Sequence, residues 1–330
     1  MIELPPELLA LPPLAVAAGV DLYLTLLLLG AAPTLGLWDA PLPGALDDLD
    51  SPSILIVVGI FYLLEFAAER FPPAALLWNG AHAVIRPVSG ALLGLLLLED
   101  QPAYFVVGGA LLAGCLASIA HAVRSGAAII RWLGSVAVPS VLLISVLEDV
   151  LVLAGVSLVL DDPAWASVAA GALLLLVAPF APSLIRAFRF ALLLAVGRLF
   201  GTLGQRRWLG PEELPPWVRR SLVGDIMAPG GGLRGYPAGA YKLPQLPRFA
   251  TGWVVVRGDA PAFVSRRWGS GSPHDLGSLS PQSVSERGFF RRLDLEAGAG
   301  ERCSVFFGRN GPSKESLRAE FLFRLPPPDG

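Results

Sequence analysis

Several ionisable side chains sit in stretches that are otherwise almost wholly apolar: Asp21, Glu65, Arg86, His121 and the adjacent Glu148 and Asp149. Carboxylates, an imidazole and a guanidinium in such surroundings can bind a cation, pass a proton, or pin helices together as ion pairs. Their spacing is helical. Glu65 and Glu69, like His82 and Arg86, are four apart, His121 precedes Arg124 by three, and Ser145 precedes Glu148 and Asp149 by three and four, so each set shares one helix face. Adjacent Glu148 and Asp149 diverge by about 100° around a helix axis, so one is expected to face a polar pocket and the other a neighbouring helix. Arg86 is followed by Pro87, which frees a backbone carbonyl, and Gly90 and Gly94 then permit close helix approach.

Plainer roles stand beside these. Arg86 is equally readable as the counter-ion of Glu65 or Glu148. His82 and Arg124 are expected at headgroup level, and Glu69 and Arg70 at the interface. His121 and Glu148 are the best metal candidates, but HExxH and paired Glu-x-x-His motifs are absent, and no metal is expected. With no GxSxG, P-loop or dinucleotide fingerprint in a usable context, no catalytic residue and no cofactor are assigned, and the chain is not read as an enzyme. The expected intramembrane polar site is thus Asp21, Glu65, His82, Arg86, His121, Arg124, Ser145, Glu148 and Asp149, a polar interior for an ion or small solute.

The elements that must hold these groups follow from composition. Of 330 residues, 54% are hydrophobic and 16% charged, with mean hydropathy +0.60, whereas about a quarter of residues are charged in an average soluble domain. Apolar runs near 14–37, 53–68, 81–98, 104–123, 136–160 and 164–185 predict about six membrane-spanning helices. The opening residues, Met1 to Glu7, lack a cationic n-region, so the first run is expected to be a retained span. Connections 38–52, 99–103 and 161–163 contain acids but no Arg or Lys, whereas Arg70, Arg124, Arg131 and Arg186 onward mark the other side. Positive residues stay inside, which predicts cytoplasmic termini and an inner-membrane location.

Short matches link the two halves in order: Gly19-Val20-Asp21 with Gly114-Cys115-Leu116, Tyr62 to Glu65 with Ser145 to Glu148, and Gly90 to Leu93 with Gly171 to Leu174. An inverted three-plus-three repeat is one reading of them, and chance matching of membrane residues is the other.

Residues 1–185 hold 4 Arg against 15 acids, while 186–330 hold 21 Lys plus Arg against 12 acids. The cationic tail fits cytoplasmic retention or attraction to anionic lipid. Residues 186–203 read as an interfacial helix or as an extension of the sixth span. The domain reading is 1–205 for the transmembrane part with its juxtamembrane helix, 206–245 for a Pro/Gly-rich linker with Trp208 and Trp217 as anchors, and 246–330 for a small cytoplasmic β-rich domain. Strands are expected near 251–257, 261–268, 288–295, 302–308 and 317–324, forming a small barrel or sandwich. Arg266-Arg267 and Arg291-Arg292 are expected on solvated strand edges, and His274 in a Ser/Gly loop. Cys115 and Cys303 give no disulfide framework.

Together Gly19-Val20-Asp21-Leu22-Tyr23-Leu24, Ser51-Pro52, Glu65-Phe66, Trp78 with His82, Ile85-Arg86-Pro87, Ser89-Gly90-Ala91, His121, Arg124, and Ser145 with Glu148-Asp149 resemble a bacterial membrane-protein family, domain of unknown function 4126, over about 12–190. This chain departs from the family pattern at Glu69-Arg70, where Asp and Lys are common, at Asn79, where an acid is common, and at Arg124, where Lys is common. These swaps weigh against a metal role for the acid at 69. The resemblance implies a membrane architecture and selects the polar residues, implies no activity, and makes the C-terminal domain an addition. The expected fold is an all-α polytopic membrane bundle with a small, mainly β soluble domain. Three functions remain open: a transporter or channel, a non-transporting scaffold recruiting a partner, and a membrane-embedded metal enzyme. Partners compatible with the sequence are the bilayer, an ion or small solute, another copy of the chain, and a cytoplasmic protein bound through 246–330. Nucleic acid is not expected.

Overall fold

A computed structural model describes residues 5–36, 44–132, 141–200, 208–222, 232–258, 260–267, 270–287, 290–308 and 311–321. The chain forms two compact units, Met1–Phe188 and Arg189–Gly330.

The first unit is helical. The segment predicted as a single first span is two short helices, α1 (Pro6–Val20) and α2 (Leu22–Thr34). The break is made by Asp21, whose backbone is extended (φ −142°, ψ 102°) and whose side chain caps α2 by accepting from the Leu24 amide at 2.9 Å. An aspartate at this point competes for the amides that a continuous helix would use, so it both ends α1 and starts α2. Next come α3 (Pro52–Glu69), α4 (Pro72–Leu97), α5 (Ala103–Trp132), α6 (Val141–Asp161), α7 (Pro163–Val177) and α8 (Ala181–Phe200), which from Arg189 onward belongs to the second unit. α1 lies at the centre, in contact with α4, α5, α6 and α7, and buries Leu11, Leu14, Ala15 and Ala18.

Among the described residues three helices, α3, α4 and α5, are long and apolar enough to cross a membrane, or up to four spans if α7 and α8 count as one. Their surface is inverted relative to a soluble protein: α3 buries only Val58 and Glu65, while Ile56, Ile60 and Leu63 face outward. Apolar residues outside and a glutamate inside suit a hydrocarbon surround, and such helices indicate a membrane protein. α7 and α8 are bent by 74° at the turn containing Pro179, within the stretch expected as the sixth span.

In the second unit β1 (Leu233–Tyr241), β2 (Ala250–Arg257), β3 (Ala260–Arg267), β4 (Ser270–Asp275), β5 (Ser280–Arg287), β6 (Phe290–Ala297) and β7 (Glu301–Gly308) form one antiparallel sheet, in the order β4-β3-β2-β1-β7-β6-β5. Four of the predicted strands are present, and the stretch read as a linker holds β1 and the short helix α9 (Pro216–Ser221). Both sheet faces are covered. Ala238, Val254, Val256, Leu293 and Val305 pack with Leu317 and Phe321 of α10 (Lys314–Phe321), whereas Val255 and Val264 meet Val218 and Leu222 near α9. That double burial explains the unbroken apolar runs Val254–Val256 and Val305–Phe307, which an open sheet would alternate with polar residues. The strand expected at 317–324 is corrected: its described part belongs to α10. Ser313 caps that helix through the Ser316 amide at 3.0 Å, and Leu317 and Phe321, four apart, form its buried face. Residues 322–324 lie outside the described residues.

Candidate functional site

The site is assembled where α4 and α5 run closest together. Gly90, Gly94 and Gly114 allow the approach: a Cβ on Gly90 would lie 2.7 Å from the Ala117 Cβ, and one on Gly114 would lie 2.9 Å from the Pro87 carbonyl oxygen. The same α5 stripe continues from Ala113 and Ala117 into His121, Arg124 and Ser125, which the small residues thereby press against α4. On α4, Asn79, Arg86 and Gly90 recur at seven and four residues, which keeps them on one line of the helix.

Arg86 is fully buried. Its guanidinium donates to the Gly19 and Val20 carbonyls at the end of α1 and to Glu65 on α3. Those carbonyls have no intrahelical amide to accept from because α1 stops at Asp21, so the broken helix presents a negative end and Arg86 supplies the charge. Arg124 gathers three carboxylates: Nε donates to Glu148 Oε2 at 2.7 Å, one terminal nitrogen to Glu65 Oε1 at 3.1 Å, and the other to Glu69. Glu65 therefore bridges both guanidinium groups through a single oxygen, while its Oε2 has no partner among the described residues.

Around this ion cluster lies a neutral layer. His82 Nδ1 is 2.8 Å from the Trp78 carbonyl and Nε2 is 3.0 Å from Tyr23 Oη. A carbonyl only accepts, so Nδ1 carries the proton and the Tyr23 hydroxyl donates to Nε2 in the neutral ring. His121 Nε2 donates to the Asn79 carbonyl at 3.0 Å, its Nδ1 is unpartnered among the described residues, and its ring meets the edge of Phe188. Ser125 donates to Asn79 Oδ1 at 3.2 Å. Glu69, Asn79, Arg124, Ser125, Ser145 and Glu148 line a cavity of about 60 Å³, enough for a few water molecules at roughly 10–15 Å³ of such space each.

The structure brings Glu65, Arg86, Arg124 and Glu148 into one network. Glu148 and Asp149 diverge as helix geometry requires, with Glu148 on Arg124 and Asp149 accepting from Tyr62 at 3.2 Å. Asp21 serves as the cap of α2, next to the Gly19 and Val20 carbonyls that Arg86 takes, and Ser145 lines the cavity. His82 and Arg124, expected at headgroup level, are buried, because α3 and α6 supply acids that satisfy Arg124 and Tyr23 satisfies His82. Glu69, expected at the interface, is drawn into the same network. Its spacing of four from Glu65 was the available signal, whereas nothing local in the sequence marks Tyr23, Tyr62 or Asn79 as partners. The Arg131 side chain lies outside what is described. Among the described residues no group of three or more His, Cys, Asp or Glu is disposed to hold a metal.

In the second unit Arg291 and Arg292 serve structure. Arg291, expected on a solvated edge, is buried and donates to the Gly311 and Pro312 carbonyls, both at 2.9 Å, and to Glu286 at 3.4 Å. Arg292 donates to Asp294, and Arg266 lies over the Trp217 ring. His274, expected in a loop, is on β4 opposite Phe263, within 3.3 Å of Ser265 Oγ. Phe190 is buried against Phe249 and Phe306, over Gly239, where any side chain would collide with its ring.

A helical membrane unit with a buried, multi-helix ion network is the class these features define. The family described as Domain of unknown function (DUF4126) matches residues 8–182, just over half of the chain, and the chain belongs to that family. The match covers the helical unit through α7, so the sheet lies outside it. No curated protein and no solved structure matches the chain.

Proposed function

We propose that the helical unit is a transporter or channel for an ion or small solute, working at the Glu65–Arg86–Arg124–Glu148 network. The observation that carries this reading is that charged groups from four helices converge beside a hydrated-size cavity at a broken helix. Broken helices with exposed carbonyl ends and intramembrane charges recur where solutes are handled within a bilayer. Glu69 and Glu148 keep 18% and 19% of their side-chain surface, so the network is reachable from one end.

In this reading α1 with α2, α3, α4, α5, α6 and α7 make six crossings of a bacterial inner membrane, and both termini lie in the cytoplasm by the arginine distribution. An inverted three-plus-three repeat is supported by contacts: α3 packs on α4 as α6 packs on α7, and α4 packs along α5 as α1 packs along α7. The paired acids Glu65 and Glu148 then bind the same guanidinium. Proteoliposomes test the proposal. Flux of protons, monovalent cations or small solutes that is lost in Glu148→Gln is expected, and absence of flux with an inert Glu148→Gln substitution defeats it.

The alternative, a scaffold recruiting a cytoplasmic partner through 246–330, draws support from the self-contained core of the sheet. It requires function to survive Glu148→Gln and to vanish on deletion of 208–330.

A further inference from the structure

The network holds more carboxylates than it has cations. Glu65, Glu69 and Glu148 share Arg86 and Arg124, which leaves one negative charge over. The other groups that face it do not make up the difference. From α6, Asp149 is a further acid, paired with Tyr62 of α3. At the α1 break, Asp21 is another acid, and Tyr23 of α2 is already the donor to His82 of α4. The contacts of His82 are those of a neutral ring, and a proton on His121 Nδ1 of α5 would find no acceptor among the described residues.

A second observation is independent of charge. Glu65 is buried, with 3% of its side chain exposed, its Oε1 takes both guanidinium groups, and its Oε2 lacks any donor among the described residues. Leaving a buried acceptor unsatisfied is costly, and more so when it is charged. Glu69 is one turn further along the same face of α3 and is held by the same Arg124.

We propose that the network holds one exchangeable proton on the carboxylate pair Glu65 and Glu69. That proton offsets the one carboxylate by which Glu65, Glu69 and Glu148 outnumber Arg86 and Arg124. Glu69 lines the cavity, so a hydronium ion on that side gives its proton to a Glu69 oxygen and leaves water, and release reverses the step. A metal cation is a poorer occupant because the Arg124 guanidinium lines the same cavity and repels it. The proton site rests on the geometry, whereas its role as the coupling ion rests on the transport reading.

Infrared difference spectroscopy on the full chain in lipid nanodiscs at neutral pH tests the site. A deuterium-sensitive band from a protonated carboxyl is expected, shifted by ¹³C-glutamate, abolished in Glu69→Gln, retained in Glu69→Asp and unaffected by Glu212→Gln. The ¹³C shift in unsubstituted protein decides the matter even if Glu69→Gln fails to fold: no protonated glutamate band overturns the proposal, as does a band that survives both Glu65→Gln and Glu69→Gln. Flux in proteoliposomes separates the two claims. A band without any flux removes the coupling role and the transport reading while leaving the proton site, and sodium-driven flux without the band removes the proton and leaves transport.

Discussion

Arg86 in the helical unit and Arg291 in the sheet unit are bound in the same way: each buried guanidinium meets two backbone carbonyls and one glutamate. Their surroundings differ. Arg291 has one acid, Glu286, and ties the Gly311-Pro312 backbone to β6 in a unit whose interior is otherwise apolar. Arg86 shares its acid with Arg124, which holds two more, in a unit whose outside is apolar and whose interior holds a charged cluster. A balanced pair with every neighbour fixed is a staple. Surplus charge beside a cavity is a site that can change state, and this contrast, rather than burial itself, separates the two arginines.

The sharpest test of that contrast is Arg124→Met, which strands Glu69 and Glu148 and leaves Glu65 with Arg86 alone. Breaking buried pairs of this kind costs about 3–5 kcal/mol, so thermal unfolding in nanodiscs should fall steeply. An effect no larger than that of Arg291→Met would erase the distinction. Gly90→Val should separate α4 from α5 by overpacking at Ala117, with a loss of roughly 1–3 kcal/mol and disruption of the ion network. Arg291→Met leaves two carbonyls unsatisfied, for a loss of about 1–3 kcal/mol confined to the sheet unit, with flux unchanged. Glu148→Gln is expected to alter stability by roughly 1 kcal/mol or less, because two acids still face two guanidinium groups, while abolishing flux. A last test concerns Cys303. Burial, with Asp294 and Glu301 nearby, pushes its thiol up to about 11 from an ordinary value of 9. The folded thiol thus keeps its proton after the unfolded one has lost it, so the sheet unit loses stability as pH rises through 9 toward 11. Alkylation of Cys303 should be negligible at pH 8 until the unit unfolds.

Much of this was legible from local pattern. The apolar runs, the charged positions within them and the short apolar strands around 251–257 and 302–308 are set by neighbouring residues. The misreadings have particular causes. Pro and Gly within Leu233–Tyr241 disguised β1 as linker, although pairing with β2 and β7 holds it as a strand. Phe321 and its neighbours suggested a strand until the Ser313 cap selected a helix. The partners of Arg124 were not readable, because its three acids lie 55, 59 and 24 residues away.

By itself the sequence determined that the chain has an apolar helical part, where ionisable groups enter it, and that a strand-rich part follows, because solvent preference and helix period are properties of short segments. Only tertiary structure decided which acid meets which arginine, that Glu65 serves two and Glu69 joins them, and that Asp21 breaks a helix whose carbonyls Arg86 then takes. Those outcomes depend on which helix backbones approach closely, and that approach is set by small residues on two different helices acting together.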